Sequence, residues 1–150
     1  MTKIFTRTLA AAAFAAITLA AGPAAANWTF GYDTTAGLVT ATNMDDDEVA
    51  VSFTCRPPSG ELTITDYTLG RARGNQAAVR VGDLTINVPA RAERVNRRRA
   101  LVIPLPQSPP VLAAVREGVP MSLTIGGRTH ELAAGAGVKL REVAQSCWTN

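Results

Sequence analysis

His130 is the only histidine in the chain, so any chemistry that needs an imidazole base has its base chosen before a partner is sought. A hydrolase would also need a nucleophile and an orienting carboxylate. No Gly-x-Ser-x-Gly turn stands in the sequence to supply the first. Glu61, Asp66 and Asp83 are carboxylates for a paired acid–base mechanism, but no spacing brings two of them together. One histidine and two cysteines at opposite ends give no zinc spacing. The run Asp45-Asp46-Asp47-Glu48 offers oxygen ligands, yet it lacks the glycine and alternating positions of a calcium loop and is expected to be a solvated hairpin tip. Neither a Walker sequence nor a dinucleotide fingerprint is present, and Gly70-Arg71-Ala72-Arg73-Gly74 suggests a flexible basic loop. No metal and no cofactor are expected.

Binding chemistry has a better foothold. Arg91, Arg94, Arg97, Arg98 and Arg99 with Glu93 give a local charge of +4 within nine residues. Guanidinium groups suit phosphates and carboxylates because their planar donors engage two oxygens at once. The competing explanation is a solvated edge strand, or neutralisation of the acidic turn of the same molecule.

The elements that must position these residues follow from alternation. Val49 to Cys55 reads V-A-V-S-F-T-C and puts Val49, Val51, Phe53 and Cys55 on one face, as a half-buried strand does. Before it come an aromatic strand with Trp28, Phe30 and Tyr32 facing the core and a short strand near Leu38 to Asn43. After it, Glu61 to Tyr67 alternates with Leu62 and Ile64 inward. Gln76 to Val88 forms a hairpin about Gly82-Asp83, with Val81 opposite Leu84, Val79 opposite Ile86 and Ala77 opposite Val88. The basic segment Arg91 to Arg99 leads into the apolar strand Leu101 to Leu105.

Ser108-Pro109-Pro110 announces a helix of about two and a half turns, capped by the serine and ended by Gly118, with Val111, Leu112 and Val115 buried. A second hairpin, Val119 to Leu132 about Gly126-Gly127, sets Ile125 opposite Arg128 and Met121 opposite Leu132. It also sets His130 opposite Leu123 on the core face, where a lone histidine packs far more often than it catalyses. Ala136, Leu140, Val143, Ala144 and Cys147 recur at three- and four-residue spacing, which predicts an amphipathic terminal helix. About eight strands and two late helices make the fold mainly β: an antiparallel β-sandwich or partly open barrel with one short helix and a C-terminal helix packed on it.

The first 26 residues stand apart. Lys3 and Arg7 precede a 13-residue apolar run, Leu9 to Ala21, followed by Ala24-Ala25-Ala26, the pattern of a secretory signal peptide and too short a run to span a bilayer. Domain organisation is therefore a signal peptide, 1–26, and one β-rich domain, 27–150. Processing removes Lys3 and Arg7, so the net charge falls from +3 to +1, which gives no support to a nucleic-acid partner. Export to an oxidising compartment, with Cys55 and Cys147 both on core faces, predicts a disulfide between them.

Leu112 through the glycine hairpin, the Gly135-Ala136-Gly137 turn and the helix ending in Cys147, together with Trp28 just after the signal site, resembles the small exported bacterial proteins of the invasion-associated locus B type. This chain has fewer cysteines than is expected of such proteins. The resemblance implies a periplasmic β-rich domain and carries over no catalytic residue. The expected function is that of a periplasmic or secreted, non-enzymatic binding or accessory domain. Its partner would be an anionic envelope component or a protein, with no membrane span in the mature chain. A small envelope hydrolase using His130 is the alternative.

Overall fold

A computed structural model describes residues 27–58 and 60–148; the proposed signal segment lies outside them. The described residues form ten strands. β1 (Trp28–Asp33), β2 (Leu38–Asp45), β3 (Glu48–Arg56), β4 (Glu61–Asp66), β7 (Arg91–Val95) and β8 (Arg98–Leu105) build one antiparallel sheet in the order β1-β2-β3-β4-β8-β7. β5 (Gln76–Val81), β6 (Leu84–Pro89), β9 (Met121–Ile125) and β10 (Arg128–Glu131) build the other, in the order β10-β9-β5-β6. The two sheets do not close into a barrel. They are a sandwich whose core is completed by the C-terminal helix α1 (Ala136–Trp148), which packs on β2 and β3.

Alternation decides the inner faces. Val51, Phe53 and Cys55 of β3, Leu62 and Ile64 of β4, and Leu101, Ile103 and Leu105 of β8 are buried against Ala77, Val79 and Val81 of β5 and Leu123 and Ile125 of β9. The outer face of the large sheet carries rows of threonine and serine: Thr40, Thr54 and Thr63 are cross-strand partners, as are Thr42, Ser52 and Thr65. Threonine is β-branched and both residue types carry a hydroxyl, which suits a pleated surface that meets water on one side.

Both glycine hairpins have the register that the alternation requires. Val81 faces Leu84, Val79 faces Ile86, Ala77 faces Val88, Ile125 faces Arg128 and Leu123 faces His130. Cys55 and Cys147 are joined, with Cα atoms 6.0 Å apart, so the bond ties α1 to the centre of the large sheet. α1 buries Ala136, Leu140, Val143, Ala144 and Cys147, the stripe read from their spacing.

Three expectations need correction. Phe30 and Tyr32 are 46% and 59% exposed. They share the face of Ala41 and Val39, but β1 is an edge strand, and the burial reaches only Trp28, which stacks on Phe53 and donates its indole N–H to the Ala134 carbonyl at 3.1 Å. The segment after Ser108 is a single 3-10 stretch, Pro110–Ala114, with Pro109 at its start and no side-chain cap. Adjacent prolines remove N–H donors there, and the N-cap position falls one residue past Ser108, on Pro109, which has no side-chain acceptor to offer. Finally, Arg91 to Arg99 is no plain lead-in to a strand: it folds back on itself as the β7–β8 hairpin about Asn96-Arg97, both at positive φ. That hairpin accounts for one of the strands beyond the expected eight.

Candidate functional site

The β7–β8 hairpin sets Arg94 directly opposite Arg99. Residues paired this way project from the same face, so two guanidiniums stand side by side where like charges repel. Arg97 crowns the turn at φ 68, a position of tight hairpins that glycine usually fills. Arg98 points elsewhere: it bonds Glu48 at 3.1 Å and the Val49 carbonyl at 2.9 Å, and its guanidinium lies 4.5 Å from the centre of the Tyr67 ring. Arg91 bonds Glu93 at 3.1 Å on the face of β7 opposite to Arg94.

Two further arginines arrive from distant sequence, and two glycines explain how. Asp66, at the end of β4, accepts the Leu69 N–H at 2.8 Å and turns the chain, and Leu69 accepts the Ala72 N–H at 2.8 Å. Leu69 and Ala72 are buried while Arg71 stays out. Gly70 lies directly against the Arg99 carbonyl, where a Cβ would collide with backbone. The close approach sets Arg71 beside the arginine hairpin. Gly126 in turn lies against the Arg73 carbonyl, which brings the β9–β10 hairpin, and so Arg128, to the same place.

The result is a groove of about 450 Å³ lined by Tyr67, Thr68, Arg71, Arg94, Arg97, Arg98, Arg99 and Arg128. No carboxylate lines it. Of its six arginines only Arg98 has an acidic partner among the described residues. The basic segment therefore divides: Arg94, Arg97 and Arg99 enter the groove, Arg98 forms a neutralised wall, and Arg91 is outside. Arg71 and Arg128 were missed by sequence reasoning. The glycines flanking Arg71 and preceding Arg128 were the available signal, but which backbones they would approach was not readable. The acidic turn is a neighbour, since Asp45, Asp46 and Glu48 line an adjoining cleft of about 290 Å³ that shares Tyr67, Thr68 and Arg98 with the groove.

The chain's histidine stands two residues from the groove residue Arg128. His130 Nδ1 donates to Oδ2 of Asp66 at 2.6 Å; the Asp66 side chain is fully buried and that of His130 is 20% exposed. The hydrogen bond to Asp66 raises the imidazole above its ordinary value of 6.5. Burial pulls the other way, and the charges of Asp66, Asp45 and Glu131 add to the rise. Asp66 precedes Tyr67 and Thr68, and His130 stands two residues beyond Arg128 on the same face of β10. The bond thus clamps the edge strand of one sheet to the other just where both contribute groove walls.

Nothing in this arrangement completes a nucleophilic triad. Among the described residues no serine hydrogen-bonds His130, and Ser122, the partner of Glu131, points to the other face of its sheet. Glu61 and Asp66 stand at opposite ends of β4, and Asp83 lies in the β5–β6 turn of the other sheet, so no carboxylate pair forms from them. The described residues contain no group of three or more metal-ligating side chains, and Asp45 to Glu48 is the tip joining β2 to β3. No described helix is long and apolar enough to cross a membrane.

No family model matches the chain, and neither curated proteins nor solved structures give a significant match.

Proposed function

We propose that this chain is an exported, non-enzymatic binding domain whose arginine groove engages an anionic component of the cell envelope. One observation carries the proposal: Arg71, Arg94, Arg97, Arg99 and Arg128 share a groove with no carboxylate among its lining residues. Such an array raises the stability cost of folding through self-repulsion and is relieved by a bound anion. Periplasmic or secreted placement is supported by the disulfide, which suits an oxidising compartment, by the signal-like N-terminal segment, and by the likeness of Leu112 to Cys147 and Trp28 to proteins of the invasion-associated locus B type.

The test is a triple variant, Arg94→Gln, Arg97→Gln and Arg99→Gln, that leaves the structural Arg98 in place. Wild-type protein should be retained on an anionic matrix and by envelope extract, with retention falling steeply as salt rises. The folded triple variant should lose it, and equal retention would defeat the proposal. A small envelope hydrolase is the second reading, favoured by the Asp66–His130 bond alone. Ester turnover that disappears in His130→Gln would favour it over binding.

A further inference from the structure

Resting on that anion-binding reading, we infer that the groove takes a ligand carrying two or more phosphate groups, as a polyphosphate or as a multiply phosphorylated headgroup. The first reason is charge. Five guanidiniums line the groove without an ion-pair partner among the described residues, and a phosphate monoester brings only about −1.5 to −2 at neutral pH. One such group leaves most of the array uncompensated; two or three balance it.

The second reason is placement. Arg94 and Arg99 are direct cross-strand partners and can grip one oxyanion between them, whereas Arg71 and Arg128 come from two other segments and stand ready for another. Arginine forks bind phosphate oxygens two at a time, so separate groups of arginines favour separate phosphates. The groove's volume of about 450 Å³ falls within the usual range of small-ligand sites.

Backbone conformation supplies the third reason. Arg97 holds φ 68 at the second central position of its turn, where glycine would sit without strain. A long cationic side chain in that conformation costs stability and returns nothing inside the fold, for Arg97 makes no hydrogen bond or ion pair among the described residues. Its return is a charge at the mouth of the groove.

Nucleic acid fits less well. Tyr67 is the groove's only aromatic lining residue, and its ring is already faced by Arg98. Bases would find no free platform on which to stack.

Calorimetric titration of the disulfide-bonded protein with orthophosphate, pyrophosphate and tripolyphosphate at matched ionic strength tests the inference. Affinity should climb along the series, with tripolyphosphate at least about tenfold tighter than orthophosphate, and citrate should bind more weakly than tripolyphosphate. Arg97→Gly should unfold at the same or a higher temperature than wild type yet bind tripolyphosphate several-fold more weakly. Arg94→Gln with Arg99→Gln should do the same without any change in the turn.

Equal affinity for all three phosphates, or Arg97→Gly binding as wild type does, would overturn the inference. If the anionic matrix retains wild type and releases the triple variant while tripolyphosphate does not bind, the broader proposal stands and this one fails. If the triple variant is retained like wild type, both fail. Neutral vesicles carrying a bisphosphorylated headgroup separate the sources: sedimentation with them, reversed by tripolyphosphate, assigns a lipid headgroup, and tripolyphosphate binding without sedimentation assigns a soluble polyphosphate.

Discussion

His130→Phe removes the donor that faces a fully buried carboxylate, and its consequence can be worked from the structure. Asp66 keeps the Leu69 N–H on Oδ1 but loses its partner on Oδ2. Breaking a buried ion pair by deleting one member costs about 3–5 kcal/mol. Here the figure is lowered because His130 is 20% exposed, so water can approach the vacated side. A loss of about 2–3 kcal/mol is expected, or roughly 8–12 °C in melting midpoint for a domain of this length.

The pH dependence follows from the direction of the imidazole's shift. The fold raises His130 above 6.5, chiefly through the Asp66 hydrogen bond. The stabilisation is therefore fully present below the unfolded value and is lost as pH rises through the folded one. Urea unfolding near pH 6 and near pH 8.5 should show the gap between wild type and His130→Phe shrinking at the higher pH. Asp66→Asn retains an acceptor for Leu69 and a donor for the neutral ring, so it should flatten the wild-type pH profile over this interval. A gap of the same size at both pH values, or one below about 0.5 kcal/mol, would refute the clamp.

Other outcomes follow from the frame around the groove. The bond between Cys55 and Cys147 closes a loop over 92 positions, worth roughly 4–5 kcal/mol on the chain-entropy model; Cys55→Ala with Cys147→Ala should lower the denaturation midpoint accordingly, and thiol titration of unfolded, unreduced wild type should find no free thiol. Gly70→Ala forces a Cβ into the Arg99 carbonyl, so it should destabilise by about 1–3 kcal/mol and also weaken anion retention by moving Arg71; a variant with full stability and full retention would show that the close approach does not position the groove.

The sandwich was legible because its signals are local. Val51, Phe53 and Cys55 reach the core for the same reason that they alternate, and a two-residue glycine turn allows only one register that puts Val79 opposite Ile86. The three-and-four spacing of Leu140, Val143, Ala144 and Cys147 gave α1 its buried stripe and Cys147 its partner. Where neighbours outside the local pattern decide, the sequence was silent. Phe30 and Tyr32 alternate like core residues, and only the edge position of β1 exposes them. Arg94, Arg98 and Arg99 look alike as a charge run; the register of β7 on β8, the reach of Glu48 and the ring of Tyr67 divide them into two groove residues and one wall. Arg71, Arg128 and the Asp66–His130 bond are separated by up to 64 positions and meet because Gly70 and Gly126 permit backbone contact between loops. Periodicity specifies which face of an element turns inward, since that depends on the side chains of the element itself. Which side chains then meet across elements depends on how those faces stack, and that is decided only when the whole core packs.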